Sequence, residues 1–173
     1  MKHVTKAGLL IAALAVGACS NNRFGDGGTE TIDPSAYGLN GGAAGSVSDP
    51  TSIAYFQQAV GDRVLFEVDQ STLNDVARNT LNAQAQWLAQ NPEYTAVIEG
   101  HADEQGTREY NLALGARRAN AVNEYLISRG VAANRLKTVT YGKERPLEIC
   151  SEESCYSQNR RAVTVLAAGG LSS

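Results

Sequence analysis

Histidine and long apolar runs are scarce in this sequence. Two histidines, His3 and His101, occur among 173 residues. A catalytic zinc ion normally takes three protein ligands, so a chain with one histidine beyond its N-terminal segment is a poor candidate for a zinc hydrolase. The apolar run Ala7–Val16 is too short to cross a membrane as a mature helix. The scarcity therefore argues against a histidine-based metal site and against an integral membrane span.

Clusters of positive charge are also missing. The chain has 15 Lys and Arg residues against 18 Asp and Glu residues, a formal net charge of −3. Loss of an N-terminal segment that carries two lysines and no acid would leave the rest more acidic. Nucleic-acid binding needs a basic stripe or patch to neutralise phosphates. We therefore predict no nucleic-acid partner.

The first 18 residues have the layout of a secretory signal peptide. A basic start containing Lys2 and Lys6 precedes the apolar run, and the small residues Gly17 and Ala18 follow it. This order of charged, apolar and small residues is typical of a segment removed on export. We predict a signal peptide over residues 1–18.

The cysteine that follows this segment predicts a lipid anchor. The tetrapeptide Val16-Gly17-Ala18-Cys19 resembles a bacterial lipobox, in which the cysteine is acylated and becomes the mature N-terminus. Ser20, not Asp, comes next, which by resemblance to sorted lipoproteins favours the outer membrane over the inner one. We predict lipidation at Cys19; an ordinary signal peptide followed by an incidental cysteine is the alternative.

Residues 19–50 predict a flexible tether. Asn, Gly, Ser, Thr and Asp dominate this stretch, and no apolar periodicity is present. A flexible chain of about 30 residues has a root-mean-square reach of roughly 30 Å. A folded extension with weak signals is the alternative. We assign residues 51–60 to a lead-in with a turn of helix or strand, residues 61–167 to the folded domain, and residues 168–173 to a tail.

Cys150 and Cys155 remain as a pair if Cys19 carries lipid. Exported proteins reside where disulfides persist, so we predict that these two cysteines are bonded. Half of a zinc site is the alternative, but no second cysteine pair accompanies it and His101 is far away in sequence. Closing so short a loop adds modest stability, and the expected effect is a stiffer surface loop.

Hydrophobic periodicity predicts an α+β fold in the folded region. Alternating apolar positions indicate strands, and apolar stripes at helical spacing indicate two long helices. The expected order is β-α-β-α-β-β, with two main helices packed on one face of a four-stranded mixed sheet. The predicted strands are 63–68, 95–99, 136–141 and 160–166, the helices follow the first and second of them, and 142–158 is a long loop.

Local signals predict where the two helices begin and end. Ser71 is a candidate cap for the first helix, which should stop at Asn91-Pro92. Thr107 is a candidate cap for the second, which should run to about Arg129 and finish on Gly130 in a left-handed conformation.

One cation interrupts the apolar stripe of the second helix. Arg118 is four residues from both Leu114 and Val122, which should face the core. A buried guanidinium cannot shed its charge, and burial without a partner costs several kcal/mol. Asp103, in the loop that leads into the same helix, is the nearest candidate acceptor. The residues alone leave open whether the pair binds a ligand or forms a plain buried salt bridge.

Several long motifs in the same order resemble the OmpA-like peptidoglycan-binding domain family over about residues 61–167. They are Gly100–Leu126, Gly130-Val131, Tyr141–Pro146 and Asn159–Val163. The resemblance implies noncovalent binding of the peptide stem of peptidoglycan, chiefly its meso-diaminopimelate residue. By the same resemblance, Asp103 would take the ligand's ammonium group and Arg118 its carboxylate. One anion beside one cation is what a free amino-acid head group requires.

Four further positions enter the site through this resemblance. Asn111 matches a ligand hydrogen-bonder or loop organiser, with helix capping as the alternative, and Arg160 matches a position near the carboxylate. Phe66 and Glu67 match an edge-of-site pair that usually reads Phe-Asp, so Glu67 departs from the pattern. Leu114 and Arg161 are expected to have structural roles.

The combined features predict an outer-membrane lipoprotein whose domain faces the periplasm and ties the membrane to the cell wall. The chain also resembles the lipidated members of this family, and that resemblance implies contacts with Tol system proteins and a part in cell division. No cofactor and no metal are expected. The alternatives are a periplasmic protein-interaction module and a peptidoglycan hydrolase. His101 and Glu104 are the only candidates for acid-base chemistry in the motif, and we interpret them as scaffold, so the chain is not expected to be an enzyme.

Overall fold

The computed structural model describes residues 45–168. The predicted signal peptide, Cys19, the tether up to residue 44 and residues 169–173 lie outside the described residues. The helices are α1 (Ile53–Tyr55), α2 (Asp75–Gln90), α3 (Arg108–Ser128) and α4 (Glu153–Asn159), and the strands are β1 (Arg63–Leu65), β2 (Tyr94–His101), β3 (Leu136–Gly142) and β4 (Arg161–Ala168). No helix in the described part is both long and apolar enough to cross a bilayer.

The strands form one four-stranded sheet in the order β1-β4-β2-β3. β2 and β3 run parallel, while β4 is antiparallel to both of its neighbours. α2 and α3 pack on the mixed sheet, and the core lies between the helices and the sheet. Its central side chains are fully buried and include Leu81, Leu88, Ile98 and Leu126. The predicted α+β architecture is confirmed.

The ends of the long helices follow local hydrogen bonding. Thr107 accepts from the Tyr110 amide and begins α3, and Gly130 ends it at a φ of 94°, both as predicted. The prediction for α2 is wrong, because Asn74 and not Ser71 is the cap; its side-chain oxygen accepts from the Ala77 amide at 2.9 Å. Leu73 packs into the core just before the helix, so the extended backbone continues past Ser71.

Two glycines allow α3 to lie directly on β2. A Cβ added to Gly100 would overlap the carbonyl oxygen of Gly115, and a Cβ on Gly115 would lie 2.5 Å from Oγ1 of Thr140. Residues with side chains at these positions would push the helix away from the strand. The close approach brings the start of α3 against the end of β2, where the predicted site residues lie.

The lead-in is part of the packed domain. α1 continues into a π-helical turn, Phe56–Gly61. Of the two predicted alternatives for the lead-in, a turn of helix or a strand, the helix is the one present. The Phe56 ring is fully buried, with its centroid 5.0 Å from that of Trp87, and the Trp87 indole N–H donates to the Pro50 carbonyl at 2.8 Å. The core therefore includes residues ahead of the predicted start at 61.

The loop predicted over residues 142–158 contains a helix. α4 covers Glu153–Asn159, and its residue Cys155 is disulfide-bonded to Cys150 with their Cα atoms 5.9 Å apart. The predicted disulfide is confirmed, whereas the prediction of an unstructured loop is wrong for α4. The polar sequence of α4 has no apolar stripe to indicate it, since it lies on the surface and only Asn159 is buried.

Candidate functional site

The predicted site residues gather at one end of the sheet. β1, β2 and β3 finish there and β4 begins there, with Leu65 opposite Arg161 and Gly100 opposite Ala162. Phe66 follows β1, Asp103 follows β2 and Arg160 precedes β4. Arg160 was predicted as the first residue of the last strand and instead caps the end of α4. The sheet register therefore brings together positions that are far apart in sequence.

Arg118 projects from α3 into this end of the sheet and is fully buried. It donates to three main-chain carbonyls, from Nε to Gln70 at 2.9 Å, from Nη1 to His101 at 2.8 Å and from Nη2 to Glu67 at 3.1 Å. The expectation that Asp103 is its hydrogen-bonding partner is wrong. Carbonyl oxygens satisfy the guanidinium because their dipoles point at it from three chain segments.

The charge of Arg118 is nevertheless sensitive to its surroundings. Burial lowers the pKa of Arg118 to about 10, and the negative charge of nearby Asp103 acts in the opposite direction. The guanidinium therefore stays charged at neutral pH. The guanidinium carbon of Arg118, Cζ, lies 5.3 Å from the centroid of the buried Phe66 ring, which is a cation–π contact.

Phe66 and Glu67 contribute to the site through their main chain. The Phe66 carbonyl accepts from Nε of Arg160 at 3.2 Å, and the Glu67 carbonyl accepts from Arg118. The Glu67 side chain is exposed. These bonds also explain why β1 ends at Leu65 and not at the predicted residue 68, since the carbonyls that follow it turn toward the arginines instead of a neighbouring strand.

Arg160 lies between two carboxylates. Its Nη1 donates to Oδ2 of Asp103 at 3.1 Å and to Oε2 of Glu153 at 3.4 Å, and its Nη2 is paired with Oε1 of Glu153. Burial opposes the charged form, but the hydrogen bonds that Arg160 donates to Glu153 and Asp103 outweigh it and raise the pKa of Arg160. The sequence did not single out Glu153, because it belongs to the helix that the sequence missed.

Asp103 is held from both sides of its carboxylate. While Oδ2 contacts Arg160, Oδ1 accepts from the Gln105 amide at 3.2 Å. The residue is 7% exposed. These two contacts fix the orientation of a nearly buried carboxylate beside the Arg160 guanidinium.

A cavity of about 270 Å³ opens beside Asp103. Its lining is mostly polar and consists of Val68, Asp69, Asp103, Gln105, Gly106 and Tyr110. The Tyr110 hydroxyl donates to Oδ1 of Asp69 at 3.2 Å, which fixes a second carboxylate at the rim. Asp69 has a φ of 56°, in the left-handed region. Sequence reasoning missed Asp69 and Tyr110; an Asp in the turn after the first strand was the available signal, because Asp tolerates this conformation.

Asn111 organises the loop that borders the cavity. Its side-chain amide donates to the Gln105 carbonyl at 2.7 Å, while its Oδ1 is buried and accepts no hydrogen bond from any residue in the described part of the chain. The first contact supports the loop-organising interpretation. Since Thr107 caps α3, the capping alternative for Asn111 is wrong.

The same loop is tied down from two other segments. Nζ of Lys143, after β3, donates to the Gly106 carbonyl at 2.8 Å, and the Ser151 hydroxyl donates to Oε1 of Glu104 at 3.2 Å. Ser151 lies inside the disulfide loop. These contacts agree with a scaffold role for Glu104.

His101 is also a scaffold residue. It is 2% exposed, its ring lies against Tyr141 with 5.5 Å between centroids, and burial lowers its pKa. Nε2 is 3.6 Å from a Glu99 oxygen, too long for a hydrogen bond. A neutral, enclosed imidazole is unsuited to acid-base chemistry on a ligand. Among residues 45–168, no three His, Cys, Asp or Glu side chains are grouped closely enough to hold a metal ion.

The arrangement suits binding of a group with both charges. Asp69 and Asp103 line the cavity, Arg160 is bonded to Asp103, and Arg118 is near enough for the charge of Asp103 to act on its pKa, although neither arginine lines the cavity. Ammonium groups pair with the aspartates and carboxylates with the arginines. No nucleophile or proton relay is needed for such binding.

Comparisons with known proteins agree with this geometry. Residues 65–160 match the model of the OmpA family. The chain is 49% identical to a peptidoglycan-associated lipoprotein of Mesorhizobium japonicum, over 93% of this chain and 90% of that one, and 50% identical to one of Rhizobium meliloti, over 93% and 86%. These relatives are named for a cell-wall association and not for a catalytic activity, in line with the prediction that the chain is not an enzyme.

Solved structures show the same architecture. The crystal structure of the peptidoglycan-associated lipoprotein from Burkholderia pseudomallei superposes with a TM-score of 0.62 at 37% identity, covering 69% of this chain and 98% of that one. The C-terminal domain of Helicobacter pylori MotB, at 21% identity and a TM-score of 0.58, covers 62% and 84% and shares the fold alone. With a family match over more than half of its length and relatives near 50% identity, the chain belongs to the OmpA family, in its group of peptidoglycan-associated lipoproteins.

Proposed function

We propose that the domain binds the peptide stem of peptidoglycan noncovalently through meso-diaminopimelate, and that the protein ties the outer membrane to the cell wall. The observation that carries the proposal is Asp103, a nearly buried carboxylate at the cavity wall with Arg160 bonded behind it. The names of the curated relatives support the cell-wall ligand. A fixed anion beside a fixed cation is complementary to the free amino-acid head of diaminopimelate.

The ligand's ammonium group is assigned to the cavity side of the site. Asp103 and Asp69 supply two carboxylates there, and the Tyr110 hydroxyl holds the second in place. Asn111 keeps the loop in shape through Gln105, and its buried Oδ1 remains available as an acceptor. Groups positioned before binding reduce the ordering cost that a ligand must overcome.

The ligand's carboxylate is assigned to the arginines. The guanidinium of Arg160 already pairs with side-chain carboxylates, so we assign Arg160 as the direct partner of the ligand's carboxylate. Arg118 supports the same carboxylate with its charge and fixes the segment from Glu67 to Gln70 through its carbonyl bonds. Glu67 lines this edge through its main chain, which makes the longer side chain in place of the usual aspartate compatible with binding.

The cellular setting follows from the N-terminal sequence. We propose that Cys19 carries the lipid, that residues 19–50 span from the outer membrane toward the wall, and that the domain faces the periplasm. The relatives' name of lipoprotein supports the anchor. Contacts with Tol system proteins, and with them a part in cell division, belong to the same proposal.

The assignment of Asp103 is tested with purified sacculi. Asp103→Asn removes the charge and keeps the shape, and should reduce retention of the protein on sacculi roughly tenfold or more, since loss of one partner of a desolvated charge pair costs several kcal/mol. Asp69→Asn, at the rim, should reduce it less. Co-sedimentation across a range of sacculus concentrations gives the apparent affinities.

Glu93→Gln is the matched control, because it removes one exposed acid outside the site. Its retention should equal that of wild type, and circular dichroism should show all variants folded. Full retention of folded Asp103→Asn would remove the site from consideration and favour a protein-interaction module.

A further inference from the structure

Every donor-bearing nitrogen of the two site arginines already has an acceptor. The three nitrogens of Arg118 donate to main-chain carbonyls, and Nε of Arg160 donates to the carbonyl of Phe66. The remaining nitrogens of Arg160 face Asp103 and Glu153. Arg118 is fully buried and the Arg160 side chain is only 4% exposed, so an incoming carboxylate reaches a guanidinium only where an acceptor that covers it gives way.

Glu153 is the acceptor that can give way. The carbonyls belong to packed main-chain segments, and Asp103 has only 9% of its side chain exposed. The Glu153 side chain is 66% exposed, whereas that of Arg160 is 4% exposed. Rotating Glu153 into water moves no backbone and leaves its carboxylate hydrated, so its displacement costs much less than that of any other partner.

We propose that Glu153 occupies the ligand-carboxylate position of the site, and that the carboxylate of a bound ligand replaces it on Arg160. The inference rests on the proposed function and deepens it, since it names the residue with which the ligand competes. A ligand without this carboxylate leaves Glu153 in place and gains nothing from Arg160. Glu153 therefore acts as a specificity-determining residue that lowers the affinity for ligands that carry this carboxylate and leaves the affinity for other ligands unchanged.

Two features keep the competitor in position. Glu153 is in the first turn of α4, whose residue Cys155 is bonded to Cys150, so the disulfide fixes the short helix beside Arg160. The hydrogen bond from Arg160 lowers the pKa of Glu153, which keeps it ionised at neutral pH. The competing carboxylate is therefore charged at neutral pH and held beside Arg160.

The test uses the full-length chain in detergent, titrated calorimetrically with a stem peptide containing diaminopimelate and with the same peptide containing lysine, which lacks the second carboxylate. Glu153→Gln should bind the diaminopimelate peptide roughly three- to tenfold more tightly than wild type, as expected for removal of one exposed competing charge. Its affinity for the lysine peptide should be unchanged.

Glu152→Gln is the matched control. Glu152 is the adjacent exposed acid, and within residues 45–168 its side chain makes no hydrogen bond or ion pair. An equal gain in Glu152→Gln would trace the effect to net charge and overturn the proposal. Weaker or unchanged binding of the diaminopimelate peptide by Glu153→Gln would overturn it too, because Glu153 would then position Arg160 without competing.

The lysine peptide distinguishes failure of the competition by Glu153 from failure of the proposed function. An equal gain for both peptides in Glu153→Gln contradicts competition for a carboxylate while leaving the proposed function standing. A wild-type protein that binds neither peptide removes the proposed function, and the competitor with it.

Discussion

At the scale of single residues, the pair Gly100 and Gly115 decides how closely α3 approaches the sheet. The atoms that a new Cβ on Gly115 would meet are Oγ1 of Thr140 at 2.5 Å and the carbonyl oxygen of Gly100 at 2.9 Å. Thr140 is itself fixed by a hydrogen bond from its hydroxyl to the Leu112 carbonyl at 2.9 Å. Neither neighbour is the free end of a flexible side chain, so the helix must shift to make room.

Gly115→Ala should therefore lower the free energy of unfolding. Overpacking costs about 1–3 kcal/mol, while the better helix propensity of alanine returns about 1 kcal/mol, so a net loss of up to about 2 kcal/mol is expected. Urea denaturation measures it. Asn120→Ala, on the exposed side of the same helix, is the control and should be neutral or slightly stabilising. A more stable Gly115→Ala protein would contradict the close approach.

The site residues differ in how far their surroundings follow from sequence. An arginine on an apolar seam correctly indicates that Arg118 is buried. Its partners are three main-chain carbonyls, and every residue has a carbonyl, so no residue type marks them. The pairing of Asp103 with Arg160 depends on the register of β2 against β4, which is a property of the assembled sheet.

At the scale of elements, α4 and its disulfide form a small structured insert beside the site. The bond joins Cys150 to Cys155 across a sequence separation of 5, and Ser151 within the loop contacts Glu104. The insert thus contacts Arg160 through Glu153 and the loop that follows Asp103 through Ser151. Its rigidity matters more to the site than to the fold.

Replacement of both cysteines, Cys150→Ser with Cys155→Ser, should cost little global stability. Loop closure over so few residues contributes about 2 kcal/mol at most, so the free energy of unfolding should fall by no more than that. Urea denaturation of the double variant against wild type checks it, with reduced wild-type protein as the control. A loss of twice that size would mean that α4 supports the core.

The elements with clear apolar patterns were predictable, and the others were not. α2, α3, β2 and β3 carry stripes or alternations and lie within a few residues of their predicted positions. α4 is polar and short, and β1 is cut off by arginine contacts that are remote in sequence. The choice between Ser71 and Asn74 as the cap of α2 depended on Leu73 reaching the core, which only the tertiary fold determines.

At the scale of the whole molecule, the proposed lipid at Cys19 is expected to hold the protein at the membrane. Cys19→Ala should convert the protein from a membrane-associated to a freely released periplasmic form, because the acylated side chain of the proposed anchor is lost. Fractionation of cells expressing the variant measures the shift, and its retention on sacculi should match wild type. A Cys19→Ala protein that stays with the membrane fraction contradicts the anchor.

The position of the lead-in relative to the site has a mechanical consequence. The segment around Pro50 is bonded to Trp87, whose ring lies 5.2 Å from that of Tyr94, the first residue of β2; Asp103 lies just beyond the other end of that strand. Under the proposed function, the membrane pulls at one end of β2 and the wall at the other. Such tension is directed along the strands and therefore perpendicular to the hydrogen bonds between them. These hydrogen bonds are then loaded in shear and resist the tension together instead of opening one after another. Under the proposed function, the domain is thus pulled in the direction in which the hydrogen bonds of its strands share the load.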